Sequence, residues 1–410
     1  MEKVFITGRG LVTPIGVGLA ENEASLRSGR SGIVAVPDFV EHRLDSQVGG
    51  MIPEGLTSSL IDRRMQRFCP QVGLTSVIAA EEAFAEAGIA ADEVRNHKLA
   101  VVSGVAGGNY RELYELADAY VSHGNRIRAV SPFGVPRVMP SSAVSNLSLV
   151  FGIRGESYDI SAACASSAFS IIMAVRLIRS GQYDMVLAGG AEQLDWVQCI
   201  GFCACRALSV KYNEMPSRAS RPFDRNRDGF VLAGGAAYVL LESERSVKAR
   251  GVRPISEISG IGANSNAVDM VVPDAGATAA VMAEAIADAG LKPADIGYVN
   301  THGTSTPVGD PIEMEAIRQT IGEKVMINST KSQTGHMVGA AGAAEIIFSS
   351  MMLEKNFISP SINLENPDDD FYWADFVREC RTGTNIRHAI SNSFAFGGSN
   401  AAIVISDCSK

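Results

Sequence analysis

The chain has 410 residues, 46% hydrophobic and 20% charged, with a formal net charge of −9. That length supports one large or two medium domains, and the acidic balance argues against nucleic acid as the main partner, because phosphate binding needs a basic surface. No stretch reaches the length and apolarity of a membrane span, and the chain enters an apolar run at Val4-Phe5-Ile6 without signal-peptide anatomy, so a cytoplasmic protein with no membrane insertion is expected.

Taken in order, the elements describe one unit written twice. After the opening strand, residues 33–67 read as an insertion. Glu82-Ala83-Phe84-Ala85-Glu86-Ala87-Gly88 reads as the end of an Ala-rich helix closed by glycine, followed by the strand Leu99–Gly104. A second insertion is expected over 110–138. Tyr158–Ser161 then reads as a short strand and Ala162–Ile178 as a small-residue helix, with Cys164 at the turn between them. Cys199, Cys203 and Cys205 are close in sequence, but no histidine or second cysteine pair answers them, so three packed thiols are expected rather than zinc. Gly234–Leu241 is a glycine-led strand.

The second half repeats these signals. Glu284-Ala285-Ile286-Ala287-Asp288-Ala289-Gly290 matches the first helix end, and Ile296–Asn300 the strand after it. Val325–Lys331 matches the run into Cys164, and Gly397–Val404 matches Gly234–Leu241. Strands alternating with helices predict parallel sheets covered by helices. The halves are expected to span 1–250 and 251–410, with the boundary near Ala249–Pro254.

Cys164 is placed near a helix N-terminus, where the dipole and free N–H groups favour an anion and are expected to lower the thiol pKa. Two of the six histidines fall in turns just after second-half strands: Asn300-Thr301-His302-Gly303-Thr304-Ser305-Thr306 and Lys331-Ser332-Gln333-Thr334-Gly335-His336. A parallel α/β fold brings such strand ends to one crevice. A cysteine with two histidines suits acyl transfer.

These runs resemble the β-ketoacyl-acyl carrier protein synthases, condensing enzymes of the thiolase superfamily. The resemblance covers essentially the whole chain. It includes Val4–Gly8 with Leu11–Gly16, Asp159–Ser167, Ala207–Ser209, Arg221–Phe230, Asn300–Asp310, Lys331–Gly342 and Ser391–Asn400. It implies a thiolase-like α/β fold of two pseudo-symmetric halves in a five-layered αβαβα arrangement. It further implies that Cys164 carries the acyl chain as a thioester, and that His302 and His336 stabilise the enolate formed as malonyl carrier protein loses carbon dioxide. The N–H groups of Cys164 and Phe396 would hold the oxyanion, with Phe396 also acting as a gate. Lys331 would give electrostatic support, partnered by Glu345. Thr304 and Thr306 would grip the phosphopantetheine arm. Phe202, Trp196, Gly108 and Phe394 would line the substrate path.

The implied partners are acyl carrier protein and a second copy of the chain; no metal and no cofactor are implied. An acidic carrier needs local positive charge on an acidic enzyme. The resemblance places Arg63, Arg64, Arg67, Arg126 and Arg128 at that docking site. Three departures from the family's usual residues are Ala395 for Gly, Gln333 for Met and Ser399 for Thr. Ala395 is expected to restrict the gating loop, and Gln333 to sit near enough to affect it. The alternatives are a ketosynthase of a polyketide or aryl-polyene pathway, a degradative thiolase (disfavoured, since no second active cysteine is found), and a non-catalytic chain-length-factor-like partner, which the presence of Cys164 opposes.

Overall fold

The computed structural model describes residues 2–408; positions 1, 409 and 410, the outer ends of the two expected halves, lie outside them. The first half supplies β1 (Val4–Thr13), β2 (Leu99–Gly104), β3 (Ser157–Ile160), β4 (Met185–Glu192) and β5 (Gly235–Ser243). The second supplies β6 (Ser256–Ser265), β7 (Tyr298–Asn300), β8 (Met326–Asn328), β9 (Asp375–Phe376), β10 (His388–Phe394) and β11 (Ser399–Asp407). Sheet order is β3-β2-β4-β5-β1 in one half and β8-β7-β10-β11-β6 in the other, with β9 outside β8. Each half thus runs third, second, fourth, fifth, first. The pairing repeats too: the second strand is parallel to the third and fourth, and the fifth is antiparallel to both its neighbours. The halves meet where β1 pairs β6 at Phe5–Glu257 and Ile6–Ser256.

The principal helices are α1 (Gln71–Glu86), α2 (Tyr110–Ser122), α3 (Ser142–Phe151), α4 (Ser166–Arg179), α5 (Trp196–Ala204), α6 (Ala275–Asp288), α7 (Gly309–Thr320) and α8 (Ala341–Glu354). α4 and α8 lie between the sheets and share one core with them, including Ile171, Ile172, Val175, Ile346, Ile347 and Phe348. α8 is buried over every residue from Ala341 to Leu353, as a helix without a solvent face must be. The outer face of the first sheet packs on α1 and α3, and that of the second on α6 and α7. These are the five layers the resemblance implied.

The close layer spacing has a cause in the sequence. Gly8 and Gly10 of β1 lie against α1; a Cβ there would come within 1.9 Å of the Ala83 carbonyl oxygen and 1.8 Å of that of Ala79. Gly260 and Gly262 of β6 make the same approach to Ala285 and Val281 of α6, at 2.1 and 2.2 Å. Any side chain at these positions would push a helix off its sheet. α1 and α6 also end alike: Gly88 and Gly290 are left-handed, and the next amides, Ile89 and Leu291, bond back to Phe84 and Ile286.

The two insertions pack together. Arg111 pairs with Asp38 at 2.9 Å and Arg67 rests over the Phe133 ring, while Phe68, just past the first insertion, meets Phe133 edge to face at 5.1 Å. Among the described residues no helix is long and apolar enough to cross a membrane.

Candidate active site

β3 ends at Ile160 and the chain turns sharply before α4. Ala163 takes φ 46°, and a short 3-10 turn, Ala163–Ala165, carries Cys164. The continuous helix expected from Ala162 is therefore interrupted, and α4 begins at Ser166. Ser166 Oγ accepts the Ala162 amide and donates to the Ala163 carbonyl, fixing this turn. Gly104 of β2 lets it sit close to the sheet, because a Cβ there would fall 2.4 Å from the Ser166 carbonyl carbon.

His302 follows β7. Its loop is held by two buried acids. Glu313 of α7 accepts the His302 and Gly303 amides at 2.8 and 2.7 Å, and Asn392 of β10 at 3.1 Å. Asp310 accepts the Ser305, Thr306 and Phe223 amides. His336 is fixed by its backbone: its amide bonds the Val231 carbonyl at 2.7 Å, and its carbonyl receives the Ala233 amide. The two imidazoles meet edge to face with centroids 5.3 Å apart. Among the described residues, His302 Nδ1 and both ring nitrogens of His336 are buried without a hydrogen-bond partner.

Cys164, His302, His336, Thr304, Thr306, Phe202, Phe394 and Phe396 line one cavity of about 330 Å³. Thr304 and Thr306 hydroxyls lie 3.2 Å apart. Phe396 lies 6.5 Å from Phe202, and the Phe396 and Cys164 amides favour the thiolate form of the sulfur. Lys331, almost fully buried, donates to Glu345 of α8 behind this surface.

Burial, more than charge, sets the protonation states. Burial, then Lys331 and then His336, holds His302 well below the usual histidine range; burial and Lys331 do the same to His336. Both rings are neutral and can donate one N–H each. The expectation of a lowered thiol pKa is overturned. Burial pushes Cys164 up to about 12, with Glu192 adding to the rise; Lys331 and the two amides only partly offset it. Burial outweighs the favourable N-terminus of α4, which begins two residues on at Ser166.

Other expected residues fall elsewhere. Trp196 is outside the cavity, stacked on His42 at 3.9 Å and against Tyr114 at 4.9 Å. Gly108 lies near Pro140 with φ 79°. Arg63, Arg64, Arg67, Arg126 and Arg128 are exposed on the two insertions, and Arg67 rests over the Phe133 ring. Cys199 and Cys203 pack with sulfurs 3.8 Å apart, but Cys205, expected to pack with them, is exposed on the cavity wall. Ala395 is extended at φ −123°, so its methyl costs nothing in this conformation; Gly397 and Gly398 carry the positive φ. Gln333 turns away from the cavity to bond the Pro360 carbonyl at 3.0 Å. Among the described residues no group of three or more His, Cys, Asp or Glu is arranged to hold a metal ion.

Sequence reasoning missed the scaffold of the site. Glu313 and Glu192 carry no catalytic signature. Arg221–Phe230 stood out only as a family run. Its Arg221 amide bonds Ser305 Oγ, its Arg227 guanidinium bonds the Thr306 carbonyl, and Val231, just after it, holds His336. The cue was the density of charged residues there, which burial obliges to pair.

The β-ketoacyl synthase N-terminal domain matches residues 1–246, and the β-ketoacyl synthase C-terminal domain matches residues 255–365. The chain is 42% identical to 3-oxoacyl-[acyl-carrier-protein] synthase 1 of Haemophilus influenzae over 405 residues, covering 98% of each. It superposes on a β-ketoacyl synthase from Burkholderia phymatum with a TM-score of 0.94 at 34% identity, covering 99% of this chain and 100% of that one. A type II polyketide ketosynthase, solved in complex with its acyl-carrier protein, gives a TM-score of 0.90 at 28% identity, with 99% of each chain covered.

Proposed function

The chain belongs to the β-ketoacyl synthase family, and from that premise we propose that Cys164, His302 and His336 carry its reaction. The activity is acyl transfer by condensation, that of a 3-oxoacyl-acyl carrier protein synthase in fatty acid elongation. The observation that carries the assignment of residues is one cavity that joins a thiol to two neutral imidazoles.

Cys164 Sγ attacks the acyl thioester, and the carrier thiol leaves with the proton. Malonyl carrier protein then enters past Thr304 and Thr306. Its thioester carbonyl receives N–H bonds from His302 and His336 as the carboxylate departs as carbon dioxide. Neutral donors suit the enolate, since a buried imidazolium would be hard to keep. The carbanion attacks the acyl-Cys164 carbonyl, the amides of Cys164 and Phe396 receive the oxyanion, and the thiolate is released. Lys331, ion-paired with Glu345, favours that thiolate.

The test is to supply acyl and radiolabelled malonyl carrier proteins to the purified enzyme. One carbon dioxide per 3-oxoacyl product is expected over a series of chain lengths. Carbon dioxide release without condensation at every length would reject the reading. Activity confined to polyketide or polyene intermediates would favour the other pathway.

The reading includes an acidic carrier protein docked on Arg63, Arg64, Arg67, Arg126 and Arg128, which are exposed and, among the described residues, not ion-paired with any acid. Arg64→Glu with Arg67→Glu is expected to raise KM for acyl carrier protein about tenfold or more, with a small thioester affected little. An equal effect on both substrates would remove the docking site. The reading also includes halves at 1–250 and 251–410, a cytoplasmic enzyme and a homodimer. The outer edge of β3 and the exposed Leu113 and Tyr114 of α2 offer a surface for the second copy.

A further inference from the structure

Glu192 ends β4 and is 3% exposed. One of its oxygens accepts two amides, from Ala106 at 3.1 Å and Gly339 at 3.0 Å. The other accepts Gln198 Nε2 of α5 at 3.3 Å. Ala106 follows β2, close to Gly108. Gly339 lies three residues beyond His336, next to Val338, whose φ of 42° marks a turn that will not hold itself. Gln198 precedes Phe202 by one helical turn. A single carboxylate therefore ties together the segment after β2, the loop beyond His336 and α5, the helix that carries Phe202. The turn it holds, at Val338 and Gly339, packs against the turn that carries Cys164, and its negative charge raises the thiol pKa that Lys331 lowers.

We infer that Glu192 is a positioning residue of the condensation, fixing the loop beyond His336 against the turn that carries Cys164 and acting on that thiol through its charge, opposite to Lys331. The inference rests on the assignment of Cys164 as nucleophile. The groups that face Glu192 are Asp159 on β3, Asp195 before α5, Tyr110 on α2 and Cys164 itself. Burial pushes Glu192 up to about 7, with Asp195 adding to the rise. Its charge is therefore present in mild alkali and absent in mild acid.

The experiment is alkylation of Cys164 by iodoacetamide, read by peptide mass mapping so that Cys205 is counted separately. Glu192→Gln removes the charge and retains a carbonyl acceptor. At about pH 8.5 its Cys164 is expected to react about tenfold faster than the parent's, an opposing charge being worth about one pKa unit. At about pH 6, where the parent Glu192 is itself protonated, the two rates should converge. A rate ratio that is the same at both pH values, or no acceleration at all, overturns the inference, since a purely structural role would not follow this titration. Glu192→Ala should also lower malonyl decarboxylation about ten- to hundredfold by freeing the two amides, with Glu192→Gln recovering most of it. Failure of the parent reading would show separately, as acyl uptake that survives Cys164→Ala.

Discussion

Cys164→Ala is expected to lower condensation by about three orders of magnitude or more, while malonyl decarboxylation persists. The methyl replaces the sulfur proposed to hold the acyl chain. It leaves the backbone amides of Cys164 and Phe396 in place, and it leaves His302 and His336 as neutral donors. Acyl transfer and decarboxylation should therefore separate. Labelled acyl carrier protein measures the first by thioester formation on the enzyme. Carbon dioxide release from malonyl carrier protein measures the second. His336→Ala is the complement: acylation of Cys164 should continue, and decarboxylation should fall about a hundredfold. Loss of both steps together in Cys164→Ala, with the fold intact, would argue against a division of labour between thiol and imidazoles.

The second large effect concerns stability. Lys331→Met removes one partner of a buried ion pair and leaves Glu345 with no cation beside it. A loss of about 3–5 kcal/mol is expected. Its pH dependence follows from the direction of the shift. Burial raises Glu345 to about 7, Lys331 opposing and Glu313 adding to the rise. A carboxyl held above its unfolded value favours the fold below that unfolded value, and this contribution is lost as pH rises through the folded one. Without Lys331 the folded value climbs further. The deficit in Tm should therefore be larger at about pH 8 than at about pH 5. Adding Glu345→Gln to Lys331→Met should recover much of the loss by removing the stranded charge. A deficit independent of pH would mean that the pair matters through packing alone.

Much of the fold was legible because the sequence repeats chemistry as well as pattern. The matched ends of α1 and α6 follow from identical needs at a helix terminus. The matched strands β5 and β11 follow from glycine-led apolar runs. Cys164, His302 and His336 stood out because thiols and imidazoles are scarce and sat at strand ends. The acids Glu192, Asp310 and Glu313 did not stand out. In sequence they look like ordinary carboxylates, and only folding buries them against backbone amides.

The sequence by itself determined the repeated α/β organisation, the family likeness and the three residues with reactive side chains, since these depend on local spacing and residue type. Tertiary structure alone decided the electrostatics. Burial made both histidines neutral and raised the Cys164 thiol, against the lowering that its place near a helix start suggested. It also put Trp196 outside the cavity, turned Gln333 toward Pro360, and gave Ala395 a conformation any residue can take. The reason is the same in each case. Desolvation and contacts between distant segments are set by how the layers pack, and no window along the chain contains that information.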